Sequence, residues 1–574
     1  MTASPLRVAN CSGFYGDRLS AAREMVEGGP IDVLTGDWLA ELTMLLLAKS
    51  RTRGGPGYAR TFLAQLEQVL GTCLDRGITI VSNAGGLDPV GCATAVEELA
   101  ARLGLSVRVA CVTGDDLTDR LGDLGDLPNL DTGEKLADLG VTPVTANAYL
   151  GGGAIAEALR QGADVVVTGR VTDAALVVGP GMWHFGWSAS DLDALAGAVI
   201  AGHVIECGCQ ATGGNYAFFT EVPDLAHAGF PLAELHADGS CVITKHPGTG
   251  GMVSVDTVTA QLLYEIGGPR YAGPDVVARF DTIQVEQEGP DRVRVHGTKG
   301  EPPSGELKVA INYDGGYRNT MTVVLTGLDI EAKARVAEEA IWARVPREAF
   351  DHVSVDLVGS DPALLRITVM DRDKRKAGRA FSAAVVETGL ASIPGFFGLT
   401  PPGDASSYGV YWPALVPADA VPQRVLIGGE EIPVPHPAAV TGQVPRGATR
   451  HAGSSSPGRQ ESCTRVPLGR IAGARSGDKG GNANVGVWAR TPEAYTWLAD
   501  FLTVERFREL VPGAAALPVE RHALPNLHAL NFVVTGLLGR GVAASTRLDA
   551  QAKGLGEELR ACVVDVPESL VMEG

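Results

Sequence analysis

The chain predicts a mixed α/β protein: an N-terminal α/β core built on a parallel sheet, a second α+β unit, and a C-terminal ferredoxin-like α+β domain. Three observations carry this. Up to about residue 180, short β-branched runs alternate with amphipathic helical stretches. Beyond about residue 278, apolar and polar residues take the two-residue period of a meander. A Gly-, Ser-, Pro- and Arg-rich stretch, TGQVPRGATRHAGSSSPGRQESCTR at 441–465, then sets off the last part of the chain. At 574 residues the chain is also too long for a single hydrophobic core.

In the first part, strands are expected at 7–10, 31–34, 78–82, 106–111, 141–146 and 163–168, each closed by Gly, Asn or Asp, and all parallel in one sheet. Helices at 38–49, 58–75, 89–103 and 152–161 cover that sheet, and a further helix at 189–204 leads into a Gly-rich segment. The second unit reads as strands at 283–296, 307–313 and 320–326, a helix at 330–345, and strands at 353–358 and 365–370. After the linker come strands near 468–474, 483–488, 529–535 and 562–566 with helices at 492–511 and 550–559. The expected division is therefore 1–277 (the α/β core with the site), 278–440, a flexible connection at 441–465, and 466–574.

Composition narrows the function. Against 67 acidic residues stand 48 basic ones, a net charge of -19, which repels nucleic-acid phosphates and anionic lipid. The opening MTASP has neither a basic nor an apolar leader segment, and no apolar run reaches the roughly 18 residues of a membrane span. A cytoplasmic protein without nucleic-acid or membrane partners is expected, and a mean hydropathy of +0.09 points to a homo-oligomer that buries part of its surface. The cysteines number nine and are scattered; only Cys207 and Cys209 lie close, as C-x-C, so thiols rather than a disulfide framework or zinc site are expected.

Ligands of open parallel sheets bind beyond the carboxyl ends of the strands. Those ends carry Asn10 and Ser12, then Asp37, then Asn83 and Gly85, then Gly114-Asp115, then Asn147, and finally Arg170 with Asp173. Taken together they outline one shared site, although each alone also fits a turn or a helix cap. Arg170 is the fixed cation among them, suited to a carboxylate or phosphate, unless it is spent on Asp173. The segment HVIECGCQATGGN places His203 four residues before Cys207. If the helix from 189 runs that far, the imidazole can lower the thiol pKa while Glu206 orients the ring. The alternative is a packed histidine and an inert thiol. A metal held by this segment matches no standard spacing, and none is expected. The loop PPGDASSYGVYW adds Asp404 and Tyr408 as candidate binding residues, and ARSGDKGGNAN is a charged turn of the tail.

These segments resemble the acyclic terpene utilisation (AtuA-like) family. The resemblance rests on NCSGFYGD, TGDWLAELTM, SNAGG, NAYLGGG, GADVVVTGRVTDAALVVGP, AGHVIECGCQATGGN and PPGDASSYGVYWPALVP, with ARSGDKGGNANVGV and LPNLHALNF in the tail. It covers nearly the whole chain and implies a core over about 5–440 followed by the family's ferredoxin-like domain. Because the family is named for gene clusters that degrade acyclic terpenoids through branched acyl-CoA esters, it implies an acyl-CoA thioester or related carboxylate as substrate. Combined with the strand-end residues, the expectation is an enzyme of lyase, hydratase or hydrolase type working by acid–base or thiol chemistry, with no flavin or nicotinamide required. Asn83 and Asn147 would hold the carbonyl oxygen, Arg170 the anionic group, and His203, Glu206, Cys207 and Asp173 would supply the chemistry. The rival expectations are a non-catalytic subunit of an acyl-CoA-degrading complex, and a redox protein using Cys207 and Cys209.

Overall fold

A computed structural model describes residues 4–438 and 462–571. The first-part strands are β1 (Leu6–Asn10), β2 (Val33–Gly36), β3 (Thr79–Ser82), β4 (Val109–Thr113), β5 (Pro143–Ala148), β6 (Val165–Thr168), β7 (Pro231–Leu235) and β8 (Cys241–Lys245). Strands β1, β2, β3, β6 and β4 lie side by side and parallel. Their valine-rich, fully buried faces suit a sheet covered on both sides by helices. Antiparallel strands extend this sheet at both edges. Beyond β1 come β7, β8, Arg292–His296 and Gln284–Gly289; beyond β4 come Gln423–Ile427 and Glu430–Val434. The sheet therefore runs across residue 278, where the sequence suggested a boundary.

Two expectations are corrected. The strand at 141–146 exists as β5 but does not join the parallel sheet. It pairs antiparallel with Glu306–Leu325 in a second sheet, where Asn312 Nδ2 donates to Thr145 Oγ1 at 3.0 Å. Periodicity identifies a strand but not the sheet that receives it. The separate strands expected at 307–313 and 320–326 are one 20-residue strand, Glu306–Leu325. Its Asp314-Gly315-Gly316 sequence makes a bulge rather than a turn, with Gly316 at φ 105°. This strand pairs with Ser406–Pro417 and with Ala363–Asp371, and so carries the second sheet.

In the tail, Ala472–Lys479, Asn482–Ala489, Ala529–Val534 and Val519–Leu524 form an antiparallel sheet in that order. The last of these was not expected. The helix expected at 492–511 is split, because Thr503 accepts from the Arg506 N–H and so caps a second helix, Val504–Leu510, after Pro492–Phe501. Most of the expected linker, 441–461, lies outside the described residues. At its end Cys463–Pro467 is a strand paired with Val563–Pro567.

The tail sheet seats directly on residues 263–267 of the core. Gly477 and Gly486 permit the approach: a Cβ at either would overlap the Tyr264 ring or the Leu263 side chain. Between them Asn484, fully buried, donates to the Leu263 carbonyl at 2.7 Å and accepts the Glu265 N–H at 2.9 Å, while Asn531 accepts from it at 3.0 Å. Trp488, Leu524, Leu527 and Ala529 complete the same apolar cluster as the core helices. Replacing Asn484 with Ala strands a buried N–H and a buried carbonyl, so Asn484→Ala should lower unfolding stability by about 2–4 kcal/mol. Chemical denaturation monitored by tryptophan fluorescence checks this.

Candidate active site

The strand ends converge, as the topology demands. Asn83, just past β3, accepts the Trp38 N–H at 2.8 Å and donates to Asp37 Oδ1 at 2.6 Å; that same oxygen accepts the Leu39 N–H at 2.9 Å. Burial pushes the Asp37 carboxyl well above the usual carboxylate range, and the charge of Asp173 adds to the rise. At the β4 end, Asp115 Oδ2 accepts the Arg170 N–H at 2.8 Å and the Asn147 amide at 2.9 Å. One carboxylate oxygen thus ties the ends of β4, β5 and β6 together. Burial pushes Asp115 up to about 7.

Arg170 is 4% exposed. Its Nη1 donates to the Leu39 carbonyl at 2.7 Å, its Nη2 stands 3.3 Å from Asp173, and its guanidinium lies 4.2 Å above the Tyr149 ring. Burial opposes its charge, but Tyr149, Asp173, Glu41 and Asp37 overcome that and hold it more firmly protonated than usual. Lys308 shares the Tyr149 ring from 5.0 Å and stands 5.6 Å from that of Tyr411. The Tyr149 hydroxyl donates to Glu41 at 2.7 Å. Burial would raise Glu41, but Lys308, Arg170 and this hydrogen bond pull it down to about 2.

On the opposite side lie His203 and Glu206. The helix that carries His203 is Leu192–Ile205, and Cys207 follows it at the start of a short 3₁₀ turn, with no hydrogen bond between His203 and Cys207 among the described residues. His203 is 1% exposed and packs against Tyr271 and Phe280, with Nδ1 3.3 Å from Glu206 but not aligned for a hydrogen bond. Burial pushes its pKa down to about 4 and leaves it neutral near pH 7. Burial drives the Glu206 carboxyl well upward, helped by Asp173 and Glu265. Asn10 positions it by donating to the Glu206 carbonyl at 3.3 Å. Cys207 reverses the expectation of an activated thiol. Burial raises it well above its ordinary value, and Glu206, Glu265, Asp37 and Asp173 raise it further, because every nearby carboxylate repels a thiolate.

The tail supplies the remaining wall. Lys479 donates to the Glu265 carbonyl at 2.8 Å and stands 5.7 Å from the Tyr271 ring. Arg475 lies 4.3 Å above the Tyr264 ring and donates to Gln210. Asp478 is pushed up to about 7 by burial and by Glu265 and Glu41.

Other candidates fall elsewhere or are spent on structure. The amide donors of Asn83 and Asn147 turn to Asp37 and Asp115 rather than to an open carbonyl position. Ser12 Oγ donates to the Phe14 carbonyl, and Gly85 packs against the Thr168 carbonyl and Pro89. Asp404 is exposed, 3.0 Å from Lys374, and Tyr408 lies by Gly315 among Arg318, Arg540 and Tyr313; neither borders Arg170. Cys209 takes Arg18 and the Ala228 carbonyl as partners. Among the described residues, no group of His, Cys, Asp and Glu is arranged to hold a metal, and no helix is long and apolar enough to cross a membrane.

The sequence reading missed Lys308, Glu265 and Tyr271, and it gave no role to Glu41 or Lys479 although both lie in segments it singles out, TGDWLAELTM and ARSGDKGGNAN. Lys308 carried a weaker signal, a charge beside the buried residues of a strand.

Asp115 gives a pH test. Its carboxyl is raised in the folded state to about 7 from an unfolded value of 3.8, so between these values the native chain binds the extra proton and stability falls as pH rises. Asp115→Asn keeps an acceptor for the Arg170 N–H and the Asn147 amide but removes the titration. The stability lost by the parent between pH 4 and pH 8 should shrink in the variant by up to roughly 4 kcal/mol, as read from denaturation midpoints at the two pH values.

No curated protein and no solved structure matches this chain. Two family models do. The AtuA ferredoxin-like domain matches residues 466–565, the docked tail that brings Lys479 to the core. The acyclic terpene utilisation family protein AtuA matches residues 6–427, a span that contains the strand ends, Arg170, Glu206 and Lys308. This chain therefore belongs to the acyclic terpene utilisation family AtuA.

Proposed function

We propose that the protein is an enzyme acting on a branched acyl-CoA thioester or a related carboxylate by non-redox acid–base chemistry. The observation that carries this reading is Lys308. Among the described residues its ammonium has no hydrogen bond or ion pair; it lies over the faces of Tyr149 and Tyr411 within electrostatic reach of Glu41, beside a buried, permanently charged Arg170. A half-buried ammonium without a hydrogen-bond acceptor is a seat for an anionic or strongly polarised oxygen. The buried Glu206 carboxyl, whose pKa burial drives well upward, can give a proton to carbon or oxygen next to the acyl carbonyl, or recover one. With Cys207 held as a thiol and His203 held neutral, Glu206 is the better proton carrier, and thiol attack is the weaker variant. Family membership supports the substrate class, since terpene utilisation proceeds through branched acyl groups.

The test is incubation of the purified chain with a panel of branched acyl-CoA thioesters, followed by mass spectrometry. Arg170→Ala and Glu206→Gln should each lower kcat/KM by about 100-fold or more, while Cys207→Ala retains most of it. Because Glu206 acts as the acid, kcat/KM should decline as pH rises through its elevated pKa. Turnover that survives both the Arg170 and Glu206 changes overturns the assignment. No consumption of any thioester replaces it with the non-catalytic subunit.

A further inference from the structure

Both faces of the residue 263–267 turn are gripped by the tail. Asn484 takes the Glu265 N–H, and Lys479 donates to the Glu265 carbonyl. Glu265 itself sits at φ 55°, the left-handed region that non-glycine residues rarely adopt. Strain of this kind persists where surrounding contacts enforce it, and such positions concentrate at functional sites. Here the enforcing contacts come from the other domain, and what they fix in place is the ammonium of Lys479.

That ammonium is under-used. Among the described residues it has one hydrogen-bond acceptor, the Glu265 carbonyl, and no carboxylate within ion-pair distance, which leaves two of its three N–H bonds unspent there. It lies within electrostatic reach of Lys308 and Glu41 on the Arg170 side and of Glu206 and His203 on the other. The Tyr271 ring, which also packs on His203, forms the floor beneath it. Arg170 already has the Leu39 carbonyl, Asp173 and the Tyr149 face as partners, but these leave some of its five N–H donors over. Burial and the neighbouring Lys308 lower the Lys479 pKa, which matches a position inside the site rather than on the surface.

We propose that Lys479 of the C-terminal domain is a substrate-touching residue, donating to the carbonyl oxygen of the acyl group whose anionic portion Arg170 and Lys308 hold, so that the site is complete only with the tail docked. The role rests on the acyl-substrate reading, but the position of the ammonium does not.

Two measurements on the full-length chain separate them. On the best thioester of the panel, Lys479→Met should lower kcat/KM by about 100-fold with its thermal midpoint near that of the parent, and Lys479→Arg should recover part of the loss. A Lys479→Met enzyme within about threefold of the parent, while Arg170→Ala is inactive, leaves the acyl-CoA reading standing and overturns this one. The second measurement needs no turnover. Pyridoxal 5′-phosphate reduced onto the native protein with borohydride, then mapped by peptide mass spectrometry, should mark Lys479 alongside the exposed Lys135, because a half-buried lysine of lowered pKa with N–H bonds unspent presents more free amine. Lys135 marked with Lys479 untouched would overturn the accessible position of that ammonium. Lys479 marked with no thioester consumed would keep that position and remove the acyl-CoA reading.

Discussion

Taking the guanidinium of Arg170 out of water is the constraint on which the rest of the structure depends. A cation at 4% exposure stands only if its donors are met and its charge is answered, and removing a partner from such a group costs on the order of 3–5 kcal/mol. The answer is assembled from several places: the Leu39 carbonyl after β2, Asp173 after β6 and the Tyr149 face after β5, while Asp115 after β4 fixes the Arg170 main chain by accepting its N–H. Once these are fixed, the neighbouring charges follow. Glu41 becomes a firm carboxylate because Arg170 and Lys308 outweigh its burial, whereas Glu206, where the repulsion of Asp173 and Glu265 adds to burial, is pushed well above the usual carboxylate range.

This division of charge gives the site its chemical character. On one side stand the cations Arg170 and Lys308 over tyrosine rings, and on the other the buried carboxyl of Glu206, driven upward by its surroundings. Such an arrangement can hold an anionic or polarised acyl group and move protons beside it with little rearrangement, since the donors are already oriented. It also disfavours a nucleophilic thiolate, for the carboxylates that surround Glu206 surround Cys207 as well.

The tail is part of this electrostatic unit rather than an appendage. Its sheet buries the Asn484–Asn531 pair against the core, shares an apolar cluster through Trp488, and delivers Arg475, Asp478 and Lys479 to the residues around Tyr264, Glu265 and Tyr271. A small antiparallel sheet with glycines at Gly477 and Gly486 can press its backbone onto another domain more closely than a side-chain-covered face could.

The alternation of β-branched runs with amphipathic helices was enough to identify the parallel strands β1, β2, β3, β4 and β6. Gathering Asn10, Asp37, Asn83, Arg170 and Asp173 at their ends follows from the rule that parallel strands share one functional edge. These are local properties, readable because hydrophobic period and strand-end residues are written in consecutive positions. The fate of β5, the continuity of Glu306–Leu325, the state of Cys207 and the entry of Lys308 and Lys479 were decided only by tertiary structure. Each depends on which distant segment lies alongside, and both burial and charge repulsion are set by neighbours that are remote along the chain.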